Sequence, residues 1–89
     1  GLKKEKRNRE MENTREKLLK ILGMIRPGAQ FDGCPDLIKA GLLDSLLTMM
    51  LTVEIESSFG VKISPLDVVP ENFKTVDSIC ELIERLQSK

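Results

Sequence analysis

The chain has no histidine, no tryptophan and no tyrosine among its 89 residues. Without histidine, the usual base of a Ser-His-Asp hydrolase or of a Cys-His nucleophile is missing. With the aromatics limited to Phe31, Phe59 and Phe73, there is no stacking surface of the kind that single-stranded nucleic acids use. Cysteine is equally scarce. Cys34 and Cys80 form neither a CxxC nor another metal-binding spacing. No apolar run suits a signal peptide or a membrane span, so a cytoplasmic protein with reduced thiols is expected. P-loop, GxGxxG and metal-cluster patterns are absent too, and with them the expectation of an enzyme.

What is present describes one small globular domain. Hydrophobic residues make up 40% and charged residues 31% of the chain, the balance of a soluble protein. A chain of this size buries only about 60% of its unfolded surface, which predicts modest stability. Formal charge is zero but unevenly placed: residues 1–26 hold nine Lys/Arg against four Glu, net +5, and residues 27–89 hold five against ten acids, net −5. The acidic part favours partners with basic docking surfaces and disfavours direct nucleic-acid binding.

Punctuation along the sequence divides it into helices. Residues 1–10 carry five basic residues and one apolar side chain, too little to pack, and read as a disordered basic arm or cloning remnant ahead of a folded domain at 11–89. Asn13-Thr14-Arg15-Glu16 fits a helix cap, followed by Leu18, Leu19, Ile21, Leu22 and Ile25 at helical spacing, so the first helix is expected over 14–26, stopped by Pro27-Gly28. A long connection then runs to Leu43, with Phe31, Leu37 and Ile38 as expected anchors and one helical turn from Asp36 to Ala40, ended by a left-handed Gly41. Asp44 can cap a second helix reaching Phe59 before Gly60. Ser64-Pro65-Leu66-Asp67 predicts a short third helix to about Val69, and Thr75 caps a last one with Val76, Ile79, Ile83 and Leu86 inward and Cys80 and Leu82 beside them. The expected fold class is all-α, a small four-helix bundle of three long helices and one short one.

Ser45 stands at the start of the second helix, with its hydroxyl in water and its amide at the positive end of the helix dipole. Taken alone, Asp44-Ser45 is what any ordinary helix start uses. The surroundings are more specific. The stretch from Asp36 through Gly41-Leu42-Leu43-Asp44-Ser45-Leu46, together with Val53-Glu54-Ile55-Glu56, Phe59, Phe73-Lys74-Thr75-Val76 and Ile79, closely resembles the acyl carrier protein family, the acyl, D-alanyl and peptidyl carriers, over roughly residues 14 to 87. The resemblance implies 4'-phosphopantetheine on Ser45, with Asp44 as motif residue and cap. It implies that the serine needs no activation within this chain, because a phosphopantetheinyl transferase supplies base and metal. A monomer is expected, holding an intermediate as a thioester and presenting it to acyl-loading ligases or synthases in fatty acid, polyketide or related biosynthesis.

Helix two carries two apolar stripes at about 100° per residue: Leu47, Leu51, Ile55 and Phe59 on one side, and Leu46, Met49, Met50 and Val53 on the other. One stripe suffices for packing. The resemblance implies that the second, with Glu54 and Glu56, meets partner enzymes. Carriers of the main fatty-acid pathway tend to have acids at the positions of Leu47 and Met50, so this chain offers a more apolar docking face. The Gly-Leu-Leu-Asp-Ser-Leu spelling leans toward D-alanyl and stand-alone biosynthetic carriers, and aminoacyl or peptidyl cargo stands beside it as an alternative. A reading of another class is an unmodified helical interaction module whose Lys3, Lys4, Lys6, Arg7 and Arg9 bind nucleic acid, but no aromatic residue is interleaved with those charges.

Overall fold

The computed structural model describes residues 2–88, with side chains from Glu12 to Ser88. Among the described residues there are three α-helices, two short 3-10 segments and no strand: α1 (Leu2–Ile25), α2 (Ser45–Phe59), the 3-10 segments Pro65–Asp67 and Pro70–Phe73, and α3 (Val76–Gln87). The all-α class holds, while the count of four helices is not confirmed: the short third helix expected to about Val69 is the single 3-10 turn Pro65–Asp67, and a second 3-10 segment follows it. The two stay separate because Pro70 cannot donate a backbone hydrogen bond and biases Val69 toward extended backbone (φ −124°, ψ 152°). Ser64 still caps the first 3-10 segment: its hydroxyl accepts from Leu66 N at 3.2 Å while Asp67 Oδ2 accepts from Ser64 N at 3.0 Å.

The start of α1 is also corrected. It begins at Leu2, not near Thr14, and Thr14 lies buried within the helix. Lys, Arg and Glu are good helix formers, and nothing between Leu2 and Asn13 breaks the pattern. The side chains of residues 1–11 and the placement of Gly1 lie outside the described residues.

The other boundaries follow their caps. Asp44 Oδ1 accepts from Leu47 N at 2.8 Å to open α2, and Gly60, at φ 66°, closes it by donating its N–H to Glu56 O. A side chain is strained in that left-handed conformation, which is why the helix ends at a glycine. Thr75 and Ser78 exchange reciprocal bonds of 3.0 Å at the start of α3. Leu18, Ile21 and Leu22 of α1, Leu51 and Ile55 of α2, and Ile79, Cys80, Leu82 and Ile83 of α3 meet in one core with Phe31, Leu37, Leu43, Phe73 and Val76. Helix α1 packs on both α2 and α3. Of the anchors expected in the long connection, Phe31 and Leu37 are buried, but Ile38 is 39% exposed.

Two arginines of the first helical arm reach that connection. Arg15 pairs with both Asp32 and Asp77, joining α1, the connection and α3. Arg26, just past the end of α1, donates from Nη1 to Gly41 O at 2.7 Å. Lys17 sits over the Phe59 ring, 5.1 Å from its centroid, and covers an edge of the core that Phe59 leaves half-open.

Both cysteines are free thiols, Cys34 half-buried and Cys80 buried in α3. Burial pushes the Cys80 thiol up to about 11. The fold therefore favours its neutral form, a contribution complete below the ordinary thiol value of 9.0 and lost as pH climbs toward 11. A thiol-alkylating reagent at neutral pH should label Cys34 in the native protein and Cys80 only after denaturation, read by peptide mass mapping. Equal labelling of both in the native state would show that α3 is not packed as described.

Candidate functional site

The candidate site forms where the long connection turns into α2. Asp36 Oδ1 accepts from Ile38 N and Lys39 N at 3.1 and 3.0 Å, winding one turn, which Gly41 ends at φ 77°. A side chain at Gly41 would be strained there, so the glycine suits the turn. Leu37 is the hub: its carbonyl accepts from Leu42 N and Leu43 N, at 2.9 and 3.1 Å, and its own N–H donates to Lys74 O at 2.7 Å. Buried Leu43 then delivers the chain to Asp44, and Ser45 emerges as the first residue of α2, exposed to solvent.

The electrostatics at Ser45 favour an anion. Asp44 satisfies the Leu47 amide, while the Ser45 and Leu46 amides have no partner within the helix, as in the first turn of any α-helix. No acidic residue lies in that first turn, so the positive end of the helix dipole is uncompensated beyond the cap. A phosphodiester on the Ser45 oxygen would keep its negative charge beside these groups.

Beside Ser45 lies a cleft of about 590 Å³, walled by Ile38, Leu43, Met49, Val68, Val69 and Phe73. Asp44 is its one ionisable lining group. This volume falls within the usual range for small-molecule sites. The cleft is not legible in the sequence, because its far wall, from Val68 to Phe73, lies more than twenty residues away.

The second apolar stripe of α2 faces outward as expected. Leu46, Met49 and Val53 are each more than 60% exposed and Met50 is 41% exposed. On the other side Leu51 and Ile55 are fully buried and Leu47 and Phe59 are half-buried. The exposed stripe is wider than one helix: Ile25 of α1 joins Leu46, Met49, Met50, Val53 and Glu54 in lining a shallow groove, and Met24 beside it is 69% exposed. Glu56 stands apart from this face. Its Oε2 accepts from Ile63 N at 2.9 Å, fastening the chain after α2.

No group of three or more His, Cys, Asp or Glu that could hold a metal ion occurs among the described residues, and no described helix is long and apolar enough to cross a membrane.

Comparison with known proteins accords with this geometry. The chain is 46% identical over 52 residues to a D-alanyl carrier protein of Streptococcus equi subsp. zooepidemicus (strain MGCS10565) and 42% identical over 52 residues to one of Streptococcus pyogenes serotype M5 (strain Manfredo). Each match covers 58% of this chain and 66% of the relative, just under two thirds of its length. Residues 15–83 match the family described as phosphopantetheine attachment site, a span that includes Ser45, its cap and the whole core. The chain belongs to that family of phosphopantetheine-binding carrier proteins, and its cofactor is covalently attached 4'-phosphopantetheine.

Proposed function

We propose that Ser45 bears the 4'-phosphopantetheine arm and that the protein holds a biosynthetic intermediate there for presentation to partner enzymes. The observation that carries this reading is the exposed Ser45 hydroxyl on the first residue of α2, behind a side-chain cap and inside the matched family span. When bound, the arm supplies a terminal thiol that forms thioesters. The chain's own part is to hold and present. With no histidine, it has no built-in base to activate the serine, so the base and metal for loading come from a phosphopantetheinyl transferase. The Ser45 oxygen bonds to the phosphoryl group of coenzyme A as its proton passes to the transferase, and 3',5'-adenosine diphosphate leaves. The helix dipole then steadies the phosphodiester. The chain itself catalyses nothing in this scheme.

Two observations bear on cargo. The relatives' names support D-alanine; the apolar cleft beside Ser45 supports a hydrocarbon acyl group, since Asp44 alone could meet an ammonium there. Intact-protein mass spectrometry of material from the native source decides between them by the mass carried beyond the arm. A protein that gains no arm after incubation with coenzyme A and several broad-specificity transferases would overturn the carrier reading.

The proposal places a monomeric carrier domain at 11–89, in the cytoplasm, where free thiols such as Cys34 and Cys80 persist. Leu46, Met49, Met50, Val53, Glu54 and Glu56 meet the loading enzyme. Residues 1–10 are dispensable for folding and loading, because they offer one apolar side chain and the hydrophobic core begins at Leu18 among the described side chains. Deleting them should change stability by less than about 0.5 kcal/mol. A fall in melting temperature of several degrees would show instead that the arm belongs to the bundle.

A further inference from the structure

We propose that Arg26 is a positioning residue for the loading of Ser45, an assignment that rests on Ser45 being the attachment site. Arg26 is itself fixed: it directly follows the last residue of α1, and its backbone N–H donates to Leu22 O at 3.0 Å. From there Nη1 holds the Gly41 carbonyl at 2.7 Å. Gly41 sits in a left-handed turn with its own N–H on Ile38 O at 3.1 Å, so both of its backbone polar groups are committed and the turn is gripped from two sides. Ser45 is only four residues further on. Between them, Leu42 and Leu43 hang by their amides from the Leu37 carbonyl. The direction in which the chain enters α2 is thus set at Gly41, and Arg26 is the side chain from outside the connection that fixes it.

Arg15 provides the internal comparison. It lies on α1, eleven residues or about three helical turns before Arg26, and also grips the connection, through Asp32. Arg15 ties the near end of the connection and α3 together. Arg26 ties the far end, where the serine emerges. Both are half-buried arginines bonding to distant parts of the same chain, so a difference between them isolates position from general tethering.

The test compares Arg26→Ala, Arg26→Lys and Arg15→Ala in the full chain, loaded by a transferase with coenzyme A. Arg26→Ala should lower kcat for loading about tenfold, because small misplacements of a reacting group are costly, with KM little changed since the apolar groove is intact. Arg26→Lys, which keeps a cationic donor, should recover most of that loss. Arg15→Ala should lower the melting temperature yet load at the unaltered rate below it. Independently of loading, amide exchange at Leu42 and Leu43 should quicken in Arg26→Ala and not in Arg15→Ala. Loading of Arg26→Ala at the unaltered rate, or a loss shared equally by Arg15→Ala, would overturn the assignment. If the unaltered protein takes up no arm although exchange quickens only in Arg26→Ala, the attachment reading fails while the Gly41 clamp stands; unchanged exchange removes the clamp as well.

Discussion

Ser45→Ala should leave a folded protein that gains no arm at all, while the unaltered chain gains one. Ser45 is exposed, and the hydrogen bond that opens α2 comes from Asp44, so removing the hydroxyl should cost no more than about 0.5 kcal/mol of stability. The loss of loading, by contrast, is complete, because no second hydroxyl shares this position. Asp44→Ala separates the two roles further. It removes the cap on Leu47 N and should cost about 1 kcal/mol, with the Ser45 hydroxyl still present. Intact-mass measurement and thermal melts on the two variants read both effects. Continued labelling of Ser45→Ala would mean that another residue bears the arm.

The second large effect is expected inside the bundle. Leu51 and Ile55 have no solvent exposure, and each contacts the core that α1 and α3 also build. Leu51→Ala or Ile55→Ala should therefore cost about 2–5 kcal/mol through lost burial and the cavity left behind. In a domain of this size each kcal/mol lowers the melting temperature by about 4–8 °C. Met49→Ala and Val53→Ala, on exposed positions one turn away, should barely move the melt. They should weaken capture by the transferase or loading enzyme by about 1–3 kcal/mol at the best-packed contact. Glu54→Lys should mainly slow association and blunt its salt dependence, as for a rim charge that steers a basic partner. Were Met49→Ala to unfold as readily as Leu51→Ala, the outward stripe would be core and the docking face would lie elsewhere.

The serine, its cap and both stripes of α2 were legible because each rests on local chemistry. An aspartate with a free carboxylate opens the helix, a glycine able to adopt positive φ closes it, and the spacing of leucine and isoleucine fixes the buried side. The capping pairs at Ser64 and Thr75 were readable on the same ground. The start of α1 was not, since a run of charged helix formers has no apolar pattern to distinguish it from an unstructured arm. Long-range contacts were equally invisible. Arg15 and Arg26 look like ordinary surface arginines in sequence, and their partners, Asp32, Asp77 and Gly41, become neighbours only once the connection folds back. The bond from Ile63 N to Glu56 was hidden in the same way, since it depends on how the chain leaves α2.

Three methionines, Met24, Met49 and Met50, stand on the exposed face that begins beside Ser45, and no aromatic side chain is among its exposed groups. Methionine has three rotatable bonds and a polarisable sulfur, and it remoulds to differently shaped neighbours at small cost. If this face is where partners dock, such a surface would accommodate several enzymes in succession, each briefly, where a rigid aromatic anchor would select one.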